Sequence, residues 1–330
     1  MSRRVALITL VAAICGLALA VEAPSRDSRY GYTIFVVNAD GTARRNLTSG
    51  MPARLVLRAL SPDGRTLAYQ RRRVEGGSDL WSIEVMPARG GAARTLVRLS
   101  GASAYAPAWS RDGKLIAFET CCSPRGIGVV RPDGARLSTI PGASNPAWLP
   151  GARLAFLAGG DLKTEIATAN PDGSERRSVL NARPFEEFGG LAAAPNGQTF
   201  AFTSFSEDGD WLSSVGLVGI PLSRIEKDRS GYSWSPTSRR LVFVSHRGLV
   251  TALPDGTKRR RYRATRILSP AVPAWSPDGT RIAFVANGYR LVVMNVRNGS
   301  VRVVARVVDG EQPLWSRNGR RLYYVAVRGI

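Results

Sequence analysis

The sequence predicts an all-β fold, a β-propeller built from four-stranded antiparallel blades. Three observations carry that prediction. A motif of the form Trp-Ser-Pro-Asp-Gly followed by a short apolar strand recurs along the chain, most fully as PAWSPDGTRIAFV at Pro273–Val285. A second half-motif, strand, Asx-Gly turn, strand, alternates with it. The period of the pair, about 40–45 residues, is that expected of one blade, because a lone four-stranded unit cannot bury both faces and stacking around an axis does.

The first half-motif is a strand, a tight turn and a strand. Pro pre-sets φ for the second turn position, Asp tolerates the third and Gly accepts positive φ. The aromatic and β-branched residues that follow suit a strand. The position of Trp275 aligns with Leu60, Trp109, Trp148, Ala193, Trp234 and Trp315, at spacings between 39 and 49 residues. A large flat Trp just before each turn suits packing between sheets. The second half-motif is carried by IFVVNADGTARRNLT from Ile34, IGVVRPDGARLSTI from Ile127, EIATANPDGSERRSVL from Glu165, LVTALPDGTKRRRYRA from Leu249 and LVVMNVRNGSVRVVAR from Leu291. Weaker copies lie near Leu80–Leu96 and Val215–Ile225. The count is seven blades, and degenerate copies at Leu149 and Val215 leave six or eight open.

Taken in order, the chain begins with Arg3 and Arg4, then an apolar run from Val5 to Val21. Ala18-Leu19-Ala20 fits the small-x-small cleavage rule, with a weaker site at Ala23, so residues 1–20 (or up to 23) read as a secretory signal. The alternative is an uncleaved N-terminal anchor. Residues 24–33 read as a linker and 34–330 as one propeller domain. The first strand pair, 34–48, lacks a Ser-Pro-Asp-Gly half, and the last element, LWSRNGRRLYYVAV from Leu314, lacks a partner after it. The two orphans complete each other: the N-terminal strands are expected to close the C-terminal blade, leaving no free sheet edge.

The full chain carries a formal charge of +21, or +19 once Arg3 and Arg4 leave with residues 1–20. The excess clusters at Arg71-Arg72-Arg73, Arg239-Arg240, Lys258–Arg261 with Arg263, and Arg320-Arg321. Attraction to an anionic polymer is one reading, a solvated basic surface the other. Aromatics do not interleave with the basic runs, so specific nucleic-acid binding is not expected. Cys121 and Cys122 are either two thiols at a strand end or a vicinal disulfide. With one histidine and no CxxC pair, neither a metal site nor a cofactor is expected.

A meander sends alternate turns to opposite faces of the ring. The Asx-Gly turns, with Asp63, Asp112, Asp278, Asp133, Asp172 and Asp255, then share one face as turn formers. The irregular loops share the other, where binding residues concentrate. The candidates there are Arg72, Glu75, Arg125, Asp161, Glu186, Glu187, Asp208, Asp210, Trp211, His246 and Tyr289. No catalytic constellation stands out. A Ser-His-Asp set would need His246 and lacks a GxSxG elbow, and Asp208-Gly209-Asp210 lacks the remaining oxygen ligands of a calcium loop.

WSPDGTRIAFVA from Trp275, WSRDGKLIAFET from Trp109, LSPDGRTLAYQR from Leu60 and WSRNGRRLYYVA from Trp315, with VVNADGTARRNLT from Val36, make the chain resemble the TolB-like propellers. Their WD-repeat-like units are shared with the tricorn and prolyl-oligopeptidase-type propellers. The resemblance implies an exported, periplasmic or extracellular scaffold that docks an envelope protein or cell-wall component, not an enzyme. Two departures stand against orthology: no room for an α/β domain before the propeller, and seven blades where six are usual. The alternative is a lyase or glycan-processing hydrolase working at the mouth of the central channel. Any membrane contact is expected only through an uncleaved N-terminal segment.

Overall fold

A computed structural model describes residues 32–48, 54–121, 125–160, 162–217, 222–227, 231–245, 248–262, 272–286, 289–307 and 312–327, with Glu75 and Val327 by their backbone alone. The signal segment, most of the segment read as linker, and the candidates Asp161, His246 and Cys122 lie outside these residues.

Seven four-stranded antiparallel sheets form a ring. Blade 1 joins the two chain ends: Leu314–Trp315, Arg321–Val327, Tyr32–Asn38 and Arg45–Asn46, from the axis outward. Blade 2 is Leu55–Leu60, Thr66–Glu75, Ser78–Pro87 and Arg94–Val97. Blade 3 is Ala104–Trp109, Ile116–Thr120, Gly126–Val130 and Arg136–Pro141. Blade 4 is Ser144–Trp148, Leu154–Ala158, Glu165–Ala169 and Arg177–Asn181. Blade 5 is Glu187–Ala193, Thr199–Ser206, Gly209–Gly216 and Ser223–Lys227. Blade 6 is Tyr232–Trp234, Leu241–Ser245, Gly248–Ala252 and Arg260–Tyr262. Blade 7 is Ala274–Trp275, Arg281–Ala286, Arg290–Asn295 and Val301–Arg306. The first strands of neighbouring blades touch one another all the way round, which places them innermost. Among the described residues the one helical segment is the turn Pro150–Ala152, which stands where blade 4 has the degenerate Leu-Pro-Gly-Ala.

The expected closure is present. Tyr32–Asn38 pairs with Arg321–Val327 in unbroken register, Tyr32 opposite Val327 and Asn38 opposite Arg321. The strand thus starts within the segment read as linker.

Packing explains why repetition suffices. Among the described residues seven apolar clusters form, and each lies between two adjacent blades. The second strand of every blade contributes an aromatic to the interface with the preceding blade, Tyr69, Phe118, Phe156, Phe202, Phe243, Phe284 and Tyr324, all buried, and blade 5 adds Phe200. Around Phe118 the fit is tight enough to require a glycine opposite, since a Cβ on Gly128 would lie 2.3 Å from the ring. The repeat tryptophans also reach back one blade. Trp148, Trp234 and Trp315 donate Nε1–H to the inner-strand carbonyls of Ala108, Ala192 and Ala274, at 2.9, 3.0 and 3.0 Å. Trp109 and Trp275 pack against the preceding blade too, but their buried indole N–H groups meet no partner among the described residues.

Candidate functional site at the mouth of the ring

The two faces differ in how completely the backbone accounts for itself. On one face the Asx-Gly turns repeat a closed network. Asp278 Oδ1 accepts from Ser276 Oγ at 2.5 Å, from the Thr280 N–H at 3.0 Å and from Thr280 Oγ1 at 2.9 Å. Ser276 Oγ accepts from the Arg281 N–H at 2.9 Å, and the Gly279 N–H closes the turn on the Ser276 carbonyl at 2.9 Å. The same network holds Asp63 with Ser61 and Asp112 with Ser110. Burial works against ionising Asp278, but the donors Ser276 and Thr280 and the charge of Arg281 outweigh it and hold the carboxyl at about 2. The donors Ser61 and Ser110, with backbone N–H groups, likewise depress Asp63 and Asp112.

The opposite face carries the hairpins between second and third strands and the crossings from blade to blade. Here the innermost strands of blades 2 to 5 are irregular. Their register shifts between Leu57 and Ala59, Tyr105 and Ala108, Ser144 and Ala147, and Gly189 and Ala192. Ala106, Asn145 and Gly190 take positive φ of 46°, 53° and 59° there. Such bulges re-aim side chains, and they concentrate next to functional sites.

Four polar groups from three blades meet at these bulges. Arg58, on the blade 2 bulge, donates Nε–H to Gln70 Oε1 at 2.7 Å, and Gln70 also accepts the Ala106 N–H at 3.3 Å. Glu119, half-buried at the end of its strand opposite Tyr105, accepts the N–H of Asn145. Burial raises its pKa; the charge of Lys163, the Asn145 N–H and the charge of Arg58 lower it only in part. The mouth therefore holds a carboxyl that protonates more readily than a free glutamate, within the field of Lys163 and Arg58. Tyr232 steadies the far side by donating Oη–H to the Gly190 carbonyl.

Beside the mouth lies an apolar patch. The crossing from blade 4 to blade 5 is tied to the blade 4 hairpin by Ala182 N–H to the Thr164 carbonyl (2.7 Å) and Phe188 N–H to the Lys163 carbonyl (2.8 Å). From these joined segments project Phe185, 84% exposed at φ 62°, and Leu162, 55% exposed.

The candidates read from the sequence spread round this face. Arg72 is exposed on blade 2 and ion-paired to Asp79 at 2.5 Å. Glu75 ends the same strand, its backbone paired with Ser78. Arg125 lies on the blade 3 hairpin, its carbonyl accepting the Gly142 N–H at 3.0 Å. Glu186 is buried and caps its own turn, accepting the Arg183 N–H at 3.1 Å. Glu187 opens the innermost strand of blade 5 opposite Phe205. Asp208 is at the tip of the blade 5 hairpin, 3.9 Å from Arg224, and Asp210 follows it. Trp211 lies under Arg224 and Lys227, 5.4 and 6.0 Å from its ring centroid. Tyr289 is 55% exposed at the tip of the blade 7 hairpin. They do not converge on one point. Cys121 Sγ lies 3.8 Å from Tyr105 Oη, and the vicinal pairing would need Cys122, outside the described residues. The mouth residues Arg58, Gln70, Glu119 and Lys163 were not singled out by sequence. The signal that could have found them is proline or double glycine inside an inner strand, Pro107, Pro146 and Gly189-Gly190, which marks a bulge.

Fold and mouth define a class: a seven-bladed propeller with one stereotyped face and one irregular face around a polar opening. No protein-family model matches the chain. Its repeats are similar to the TolB homolog of Chlorobium luteolum, with 28% identity over 162 residues, 46% of this chain and 36% of that protein. The match thus spans about a third of that relative's length. In structure it is similar to a TolB protein from Agrobacterium tumefaciens, with a TM-score of 0.55 and 17% identity over 91% of this chain and 99% of the other. It is similar also to the oligogalacturonate lyase of Vibrio parahaemolyticus, with a TM-score of 0.62 and 13% identity over 90% and 96%. These likenesses give the fold, a seven-bladed β-propeller whose repeats are similar to those of TolB-like propellers. A lyase of the same name has been solved in complex with manganese. Among the described residues of this chain no three His, Cys, Asp or Glu side chains converge as a metal would require. No helix among the described residues is long and apolar enough to cross a membrane.

Proposed function

We propose that this propeller is an exported, periplasmic or extracellular scaffold without catalytic activity, which binds an envelope protein or cell-wall ligand on its irregular face. The observation that carries the reading is the exposed Phe185–Leu162 patch beside the mouth. A large aromatic held outward at positive φ costs conformational energy and apolar hydration, and such patches mark contact surfaces. The similarity to TolB supports an envelope partner in general and a periplasmic location. The test is capture from envelope extract by the chain lacking residues 1–20, at low and high salt, against Phe185→Asp and Leu162→Asp variants. Partners that survive high salt and vanish with either variant support the reading. Recovery of salt-labile polyanions alone, unaffected by the variants, defeats it.

One observation favours a second reading, an enzyme acting at the channel mouth. Glu119 is a carboxyl raised by burial and set beside the cations Arg58 and Lys163, an arrangement suited to proton transfer next to an anionic substrate group. A uronate-cleaving activity would appear as new ultraviolet absorbance from an unsaturated sugar and would disappear in Glu119→Gln. Absence of any turnover on uronate oligomers removes this reading in its lyase form.

A further inference from the structure

We propose that the raised end of the blade 2 hairpin is a binding cleft for an anionic polymer, a chain bearing carboxylate, sulfate or phosphate groups in series. The hairpin is the longest in the ring: each of its strands has 10 residues, paired without a break from Thr66–Pro87 to Glu75–Ser78. The matching strands of blades 3 and 4 have 5 each. Its outer half therefore rises past the neighbouring packing. Along one face of Thr66–Glu75 the side chains change character at that level. Leu67 and Tyr69 are buried against blade 1, and the next two positions at period two are Arg71 and Arg73. Arg54, entering blade 2, and Arg98, leaving it, complete a cleft of about 400 Å³. That volume falls in the range of ligand sites, about 300–1,000 Å³, and is far beyond one small anion.

Charge points to the ligand's sign. Five arginines line the cleft against a single acid, Glu84. Glu84 is 5% exposed, and its carboxylate already accepts from Ser82 Oγ at 3.2 Å and Thr95 Oγ1 at 3.1 Å. Burial, and then the nearby charge of Arg98, lower the pKa of Arg73, so cations are crowded there. Three arginines of the turn face serve as staples between blades. Arg259 pairs with Glu226 at 2.6 Å, Arg260 donates to the Arg297 carbonyl at 2.6 Å, and Arg281 to the Gly319 carbonyl at 2.7 Å. Within the cleft Arg72 is ion-paired to Asp79 and Arg73 donates to the Leu99 and Ala102 carbonyls, yet the five guanidinium charges still outnumber Glu84 and Asp79.

The test is calorimetric titration of the chain lacking residues 1–20 with a uronate oligomer, a sulfated oligosaccharide and inorganic phosphate, at two salt concentrations. The oligomers should bind, more weakly at high salt, and inorganic phosphate should compete poorly. Arg71→Gln with Arg98→Gln should weaken oligomer binding about tenfold, as loss of close charge contacts does. Arg239→Gln with Arg261→Gln, an equal loss of charge at exposed turn-face positions, should change it less than about twofold. If the double cleft variant misfolds by circular dichroism, Arg98→Gln alone, at an exposed position, should still weaken binding measurably. No oligomer binding, equal loss in the control pair, or phosphate competing as well as the oligomers would each overturn the proposal. Phe185→Asp should leave this binding intact, which separates it from the docking of a protein partner.

Discussion

The turn at Ser276–Thr280 and the hairpin that carries Leu162 are both short connections between strands, yet they sit under opposite rules. In the turn the Asp278 carboxylate and the Ser276 and Thr280 hydroxyls find partners within five residues, and Ser61–Asp63 and Ser110–Asp112 repeat the pattern. In the hairpin the ties are of another kind, backbone bonds from Thr164 and Lys163 to the neighbouring crossing, and the Leu162 side chain is exposed. A closed local network fixes geometry and leaves nothing to offer a ligand. An open one costs stability little and leaves chemistry exposed. The two faces of one repeat can therefore divide stability and binding between them.

The sharpest way to break that division is through the inter-blade tryptophans. Trp315→Ala removes a buried indole and its 3.0 Å bond to Ala274; denaturant unfolding should show a loss of about 3–5 kcal/mol, with ligand capture unchanged in the folded fraction. Next comes Asp278→Ala, with a loss on the order of 1–2 kcal/mol. Its folded carboxyl, at about 2 against the ordinary 3.8, stabilises the fold above the ordinary value and loses that contribution as pH falls through the folded one. Acid melts between roughly pH 4 and 2 should therefore be flatter for Asp278→Asn than for the parent. Glu119 has the opposite sign. A carboxyl raised by burial favours the folded state less as pH rises through its folded value, so Glu119→Gln should raise the melting temperature slightly at neutral pH. The smallest effect on stability belongs to Phe185→Asp, within about 0.5 kcal/mol as for other exposed sites.

Blade number, closure by the N-terminal strand and the division of faces were legible in the sequence, because each rests on local turn chemistry repeated at one period. Even the degenerate Leu149–Ala152 segment keeps its place, since the ring around it sets the spacing. The mouth was not legible. Arg58, Glu119 and Lys163 come from three blades, and the bulges at Ala106 and Asn145 turn backbone N–H groups toward Gln70 and Glu119. A pattern of alternation cannot say toward which side a bulged residue turns. The basic runs are alike in sequence, and the blade-to-blade bonds that engage Arg259 and Arg260 are encoded by no linear motif. Glu186, read as a loop acid, closes its own turn.

The division of labour is tested most directly by measuring capture of the envelope ligand by Asp278→Ala and Phe185→Asp side by side, at a temperature where both are folded. Full capture by Asp278→Ala and none by Phe185→Asp is the predicted result. Loss of capture in Asp278→Ala with full capture by Phe185→Asp would place binding on the turn face and contradict it.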